Sequence, residues 1–253
     1  MKDDALILVV VPCYNEAGRL PVERFLHSAE KEERLHFLFV NDGSSDATAS
    51  VLEEISKRNP GQISWLHLPQ NAGKAEAVRQ GIRKGLEQNL FDFIGFLDAD
   101  LSSPPEEILY LKAFSDFRGG GHTFLFGSRM KHLGSSIYRQ PMRHYFGRVA
   151  ATAASVALNL PVYDTQCGVK LMKAILCENL FEKPFLSRWL FDVELFFRLK
   201  SIYSQNEFES HVLEVPLREW REAPGTKLGT GDVLKVPLEL WRIRQHYQSA
   251  CRF

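Results

Sequence analysis

Ala5-Leu6-Ile7-Leu8-Val9-Val10-Val11-Pro12-Cys13-Tyr14-Asn15-Glu16 is the stretch on which the fold turns. Its first seven residues are uniformly apolar and rich in β-branched side chains. That reads as a strand buried on both faces, as in a parallel sheet. Pro12 is expected to end it, and a polar cluster follows at once. The pattern then repeats. A helix is expected from Pro21 to Glu33, with proline near its first turn. A second strand, His36 to Val40, runs into the turn Asn41-Asp42-Gly43-Ser44-Ser45-Asp46. Thr48 to Arg58 reads as helix, capped by Asp46 or Ser45. Ile63 to Leu68 is a third strand, and Lys74 to Gln88 a helix. Phe91 to Leu97 is a fourth strand, ending on Asp98.

Three strand–loop–helix units before residue 98 predict an open parallel α/β sheet with helices on both faces. Such sheets bind ligands at the carboxyl ends of their strands. Pro12–Glu16, Asn41–Asp46, Asn71–Lys74 and Asp98–Asp100 all fall there. The second half is less regular. Helices are expected over Pro104–Phe117 (opened by Ser102 or Ser103), Tyr138–Leu160, Trp189–Ile202 and Leu234–His246. Strands are expected over Thr123–Phe126 and His211–Val215, with Val169–Met172 as an edge strand. No internal repeat or linker interrupts the chain beyond these units, so one domain is expected.

The 253 residues suffice for a sizeable core. The formal net charge is zero, so no nucleic-acid partner is expected. The distribution says more. Residues 1–116 hold 19 acidic and 12 basic side chains, whereas residues 117–163 hold six basic and no acidic ones. Such a stretch is either an anion site or a locally basic surface. The cysteines at 13, 167, 177 and 251 form no CxxC pair, so neither a zinc knuckle nor a disulfide framework is indicated. No window reaches about 18 consecutive apolar residues, so no membrane span is expected and a cytosolic location is. Leu234, Val236, Leu238, Leu240, Trp241 and Ile243 form an apolar face that serves either core packing or a peripheral membrane contact.

The chemistry-bearing residues follow from these positions. Asp98 and Asp100, one residue apart beyond a buried strand, can share one hard cation, although such pairs also occur in ordinary turns. Asp42 can accept from a nucleobase edge or a ribose, or simply stabilise its turn. Tyr14 can pack on a base while Glu16 meets a ribose or a nearby amide. Asn71-Ala72-Gly73-Lys74 can offer backbone donors, a helix N-terminus and an ammonium to an anion. The glycine-rich run of ATPases is absent before Lys74, and GxGxxG is absent after the first strand. Arg129, Arg139 and Arg143 can clamp phosphate, the last two sharing a helical face. Asp164, Gln166, Asp192 and Glu194 sit among bulky apolar neighbours, as in a cleft wall.

Pro12-Cys13-Tyr14-Asn15-Glu16, Asn41-Asp42-Gly43-Ser44-Ser45-Asp46, Asn71-Ala72-Gly73-Lys74, Asp98-Ala99-Asp100, Gly127-Ser128-Arg129 and Asp164-Thr165-Gln166-Cys167-Gly168 occur in this order. Together they resemble the polyprenyl- and dolichyl-phosphate sugar transferases of the inverting family 2 glycosyltransferases. Arg188 to Glu194 and Arg218 to Lys227 resemble the dolichyl-phosphate glucosyltransferase branch. The resemblance implies a GT-A fold, with a Rossmann-like nucleotide-binding half over about 5–117, a mixed central sheet, and an acceptor half over about 118–230. A terminal helix over about 234–248 completes the single domain. It implies that Pro12, Tyr14, Asn15, Glu16, Asp42, Gly73 and Lys74 surround the nucleotide, with Asp98 near the ribose and metal. Asp98 and Asp100 would hold Mg²⁺ or Mn²⁺. Arg129, with Arg139 or Arg143, would receive the acceptor phosphate, and Gln166 and Asp192 would line the sugar site. The implied catalytic set is Asp98, Asp100, Arg129 and Asp192. Mannosyl relatives carry glutamine two residues after the second aspartate, where this chain has Ser102. The implied reaction is transfer of a hexose, glucose from UDP-glucose, to a polyprenyl or dolichyl phosphate. The alternatives are a hydroxyl acceptor, with Asp192 or Asp164 as base, and a nucleotide-sugar binding protein without turnover.

Overall fold

A computed structural model describes residues 5–138, 141–222 and 230–250; within it, nothing is described of the side chains at 141–147, 149–150, 230–236 and 248–250. The elements in chain order are β1 (Ile7–Cys13), α1 (Val22–Lys31), β2 (Leu35–Asp42), α2 (Thr48–Arg58), β3 (Ile63–Leu68), α3 (Lys74–Leu86) and β4 (Phe93–Phe96). There follow α4 (Glu106–Phe117), β5 (Phe124–Ser128), β6 (Ser136–Tyr138), α5 (Pro141–Leu158), β7 (Lys170–Lys173) and α6 (Ala174–Leu180). The chain then forms α7 (Phe191–Ile202), α8 (Gln205–His211), β8 (Val212–Pro216), β9 (Glu219–Arg221) and α9 (Thr230–Ala250).

Seven strands form one sheet in the order β3-β2-β1-β4-β7-β5-β8, and β6 pairs with β9 beside it. The first four strands are parallel. β1 shows why. Leu8 and Val10 enter the core on one face, Ile7, Val9 and Val11 the core on the other, and all five are almost fully buried. A strand with no polar side can only sit centrally between two helical layers. Each fully buried aliphatic or phenyl side chain contributes roughly 1.5–3 kcal/mol. Phe25, Phe37 and Phe39 lock α1 onto β2 through edge-on ring contacts.

Several sequence expectations are corrected. Pro12 lies inside β1, which continues to Cys13. The β1–β4 pairing stops at Val10–Phe96, so beyond it β1 has a partner on one side only, where a missing N–H is tolerated. The strand expected at Val169–Met172 is not an edge: β7 lies antiparallel between β4 and β5. Neither Ser45 nor Asp46 is the N-cap residue of α2, although Asp46 accepts the Thr48 N–H at 3.0 Å. Pro105, not Ser102 or Ser103, precedes α4. Tyr138 belongs to β6 rather than to the helix after it. α9 starts earlier than expected, and β6, β9, α6 and α8 had no counterpart in the sequence reading.

Parallel register brings the loops together. Cys13 pairs with Asn41, and Asp42 with Leu68, so the loops after β1, β2 and β3 leave the sheet side by side. Asp98 leaves next to them after β4. Among the described residues, no helix is long and apolar enough to cross a membrane.

Candidate active site

The loop after β1 is built onto the loop after β2. Asn15 takes a left-handed conformation, φ 52°, which asparagine tolerates better than most residues. Its N–H donates to Ser44 Oγ at 3.0 Å, and its Oδ1 accepts from the Ser45 N–H at 2.9 Å. Glu16 is buried and forks onto Arg19, with Nη2 donating to Oε1 at 2.6 Å. Pro12 is half-buried, and Tyr14 keeps part of its ring exposed at the mouth.

Asp42 is buried at the end of β2 and holds the loop before α3. Its carboxylate accepts from the N–H groups of Ala72 at 2.8 Å and Gly73 at 2.9 Å, and from Asn71 Nδ2 at 3.1 Å. Burial pushes its pKa up, against the pull of the two backbone donors. Gly73 takes φ 95°, and a Cβ there would strike the Arg188 guanidinium. Arg188 crosses this loop, donating from Nε to the Ala72 carbonyl at 3.1 Å and from Nη2 to Asn71 Oδ1 at 3.0 Å. The sequence reading gave Arg188 no role of its own. Its signal in the sequence was its place at the head of the Arg188–Glu194 segment, directly before Trp189.

Lys74 opens α3 and meets Asp98 Oδ1 at 2.5 Å, with the Phe191 ring 5.9 Å below its ammonium. Burial works against that charge, but Asp98, Asp192 and Asp100 outweigh it and raise its pKa. Asp100 accepts from the Ser102 N–H at 2.9 Å. Its pKa is raised by burial and then by the Asp98 charge. This edge is therefore rich in carboxylate, with Lys74 the cation that contacts it. Gly168 faces it from the opposite loop. A Cβ at 168 would fall on the Asp98 carboxylate, well inside van der Waals contact. Among the described residues, no cluster of three or more His, Cys, Asp or Glu could hold a metal by protein groups alone. Two adjacent carboxylates still fit a hard cation, which Asp98 and Asp100 would hold with non-protein oxygen ligands completing its shell.

Arg129 and Asp164 form the next wall. The guanidinium donates from Nε at 2.6 Å and Nη2 at 2.7 Å, in a fork that uses both carboxylate oxygens. Asp164 raises the Arg129 pKa against the cost of burial. Glu214 fixes the segment by accepting the N–H groups of Tyr163 and Asp164. Arg129 Nη1 has no hydrogen-bond partner among the described residues. Nearby in the chain, Ser128 Oγ, Thr165 Oγ1 and Gln166 Nε2 are buried without partners among the described residues. Unsatisfied buried polar atoms cost about 1–3 kcal/mol each, so a wall that keeps several is suited to a polar ligand or ordered water.

Asp192 is buried at the start of α7, its Oδ1 2.5 Å from Lys170 Nζ. Lys170 is fully buried and also donates to the carbonyls of Thr165 at 3.1 Å and Cys167 at 2.7 Å. It thereby ties β7, the 164–168 loop and α7 together. The sequence reading passed over it, although a lysine inside the apolar strand Val169–Met172 was the signal. The structure thus gathers Lys74, Asp98, Asp100, Gly168 and Asp192 at one edge, with Arg129, Asp164 and Gln166 alongside. Arg139 lies outside the described residues. Arg143 is in α5, but its side chain is not described.

The site combines a parallel sheet edge with paired aspartates, a lysine at a helix start and a second half built on the mixed part of the sheet. Residues 8–181 match the family described as Glycosyl transferase family 2, and the chain belongs to that family. It is a glycosyltransferase with a GT-A-like fold. It is 32% identical over 240 residues to a dolichyl-phosphate beta-glucosyltransferase of Drosophila melanogaster, covering 87% of this chain and 68% of the relative. It is 27% identical to the polyprenol monophosphomannose synthase of Mycolicibacterium smegmatis, over 96% of this chain and 89% of that one. Among solved structures, glucosyl-3-phosphoglycerate synthase from Mycobacterium tuberculosis, bound to Mn²⁺, UDP and glucosyl-3-phosphoglycerate, superposes with a TM-score of 0.61. That likeness covers 96% of this chain and 80% of the other at 16% identity, and so speaks for the fold.

Proposed function

We propose that the protein transfers a hexose, glucose, from a nucleoside-diphosphate sugar, UDP-glucose, to a polyprenyl or dolichyl phosphate. The observation that carries this reading is the contact of Lys74 with Asp98 beside Asp100, at the sheet edge where donor diphosphates bind in such folds. The relatives named as dolichyl-phosphate glucosyltransferases support the acceptor and the sugar.

Each residue has a part in this reading. Pro12, Tyr14, Asn15, Glu16 and Asp42 frame the base and ribose. Gly73 and Lys74 approach the diphosphate, with Lys74 kept charged by its carboxylate neighbours. Asp98 and Asp100 would hold a Mg²⁺ or Mn²⁺ ion, which when bound neutralises charge gathering on the departing diphosphate. Gln166, with an unbonded Nε2, and Asp192 orient the sugar. Arg129, steadied by Asp164, offers Nη1 to the acceptor phosphate, together with Arg139 or Arg143. A phosphate monoester is already a nucleophile near neutral pH, so positioning matters more than a strong base. One displacement inverts the anomeric centre.

The test is a panel of UDP- and GDP-sugars against dolichyl phosphate and simple sugars, with and without Mn²⁺. Glucose transfer from UDP-glucose to dolichyl phosphate, abolished by chelation, is expected. Transfer confined to hydroxyl acceptors would overturn the acceptor assignment, and unaltered turnover in chelator would overturn the metal.

A further inference from the structure

α9 is apolar on two opposite sides, and the core uses one of them. Leu240 and Ile243 are buried, Tyr247 donates to Glu194 Oε1 at 2.8 Å, and Glu239 Oε2 accepts from Ser187 Oγ at 2.5 Å. At about 100° per residue these four side chains share one side of the helix. Leu238 and Trp241, three residues apart, form a ridge on the other side and are 67% and 60% exposed. Arg242 and Arg244, both exposed, flank that ridge, one on each side. Between residues 237 and 247 the sole acidic side chain is Glu239, and it is turned inward onto Ser187. Over residues 237–247 the outward face thus offers an indole, a leucine and two guanidinium groups, with no carboxylate among the described side chains. α5 packs beside α9 and contains no acidic residue. Leu186 and Trp189, on the loop that Glu239 grips, are also exposed.

From this we infer that the outward face of α9 rests on an anionic bilayer surface, with Leu238 and Trp241 entering the headgroup region and Arg242 and Arg244 meeting lipid phosphates. Tryptophan beside arginine suits the boundary between apolar chains and charged headgroups. A face without carboxylates complements the negative charge of such a surface. The inference rests on the lipid-phosphate reading above for its biological sense, because that acceptor is presented at a bilayer. It also orients the enzyme. Glu239 holds Ser187, and the adjacent Arg188 holds the loop before Lys74, so the docked helix and the donor site are joined through one short segment.

The test uses the whole chain with vesicles of phosphatidylcholine alone or mixed with phosphatidylglycerol. The native protein is expected to float with the mixed vesicles, to be released by salt, and to show a blue shift of tryptophan emission that W241F abolishes. The double variant L238S/W241S changes only exposed side chains and should keep the native melting temperature, yet lose about ten-fold or more in vesicle affinity. R242Q/R244Q should remove the salt dependence. Equal binding by native and L238S/W241S proteins would overturn the inference. So would a native dimer that the same two substitutions dissociate, since the face would then join two copies. Transfer to a short-chain polyprenyl phosphate dispersed in detergent separates the two readings. If that transfer occurs but vesicle binding ignores the α9 substitutions, docking fails and the acceptor stands. If vesicle binding depends on α9 but no phosphate acceptor is used in either format, the acceptor fails and docking stands.

Discussion

Asp98 owes its place to a residue with no side chain. Gly168 approaches so closely that a methyl group would displace the carboxylate, and the colliding atoms are the free end of a rotatable side chain rather than backbone. Gly168→Ala should therefore fold normally and shift Asp98. A misplacement of about 1 Å in such a group can cost on the order of 100-fold in rate. The expected result is a melting temperature within a few degrees of native and turnover reduced roughly 10–100-fold. Native turnover in G168A would show that the observed Asp98 position is not required. Lys170 poses the opposite case, because its role is internal. Replacing it with methionine leaves Asp192 buried without its cation, a defect that typically costs about 3–5 kcal/mol. Urea titration should show that loss for K170M and partial recovery for K170M/D192N. Equal stability of the two variants would mean that the ion pair is not what couples these residues.

The elements most legible from sequence were those whose burial is uniform. β1 to β4 announce themselves because both faces are apolar, and the loops after them carry the polar residues that the register then aligns. β7 defeated that logic. It is four residues long, and nothing in Lys170-Leu171-Met172-Lys173 says which strands flank it or in which direction. Its central place comes from contacts made far along the chain, chiefly Lys170 with the 164–168 loop and α7. The site shows the same division. The positions of Asp98 and Asp100 after a strand and of Lys74 at a helix start are local and were readable, whereas the pairing of Arg129 with Asp164 spans 35 residues and was not. The loop crossed by Arg188 belongs with the second group. Arg188→Ala removes the donors to Ala72 and Asn71 and should loosen the segment that presents Gly73 and Lys74. A loss of about 1 kcal/mol is expected, or about five-fold weaker binding of the donor nucleotide. UDP titration by calorimetry checks it, and unchanged affinity would leave Arg188 a surface contact only.

At the scale of the molecule, one guanidinium joins several elements of the second half. Arg198 donates to the carbonyls of Leu180, Lys183 and Pro184, to Glu194 Oε1 and to the Tyr247 hydroxyl, while its plane lies 4.0 Å from the Phe185 ring centre. It thereby joins the end of α6, α7 and α9, and through the 183–190 segment reaches Arg188 and the donor loop. Burial and the Glu194 charge push the Tyr247 phenol up to about 12, so it stays protonated and keeps donating to Glu194 throughout the neutral range. Tyr247→Phe preserves the ring that stacks on Phe197 and removes only the hydroxyl. Arg198 Nε then lacks an acceptor, and Glu194 Oε1 keeps only the bond from Arg198 Nη2. Leaving buried groups of this kind short of a partner costs about 1–3 kcal/mol. The unfolding free energy of Y247F from urea titration should fall by that amount, as a lower midpoint with an unchanged slope, since the surface exposed on unfolding is the same. Amide exchange should locate the effect, with faster exchange in α9 and little change in β1, because α9 packs on α5 and α7 whereas β1 packs on β2, β4 and α3. A native midpoint would show that α9 is held by its apolar contacts alone, through Leu240 and Ile243, and that the polar cluster only sets its register.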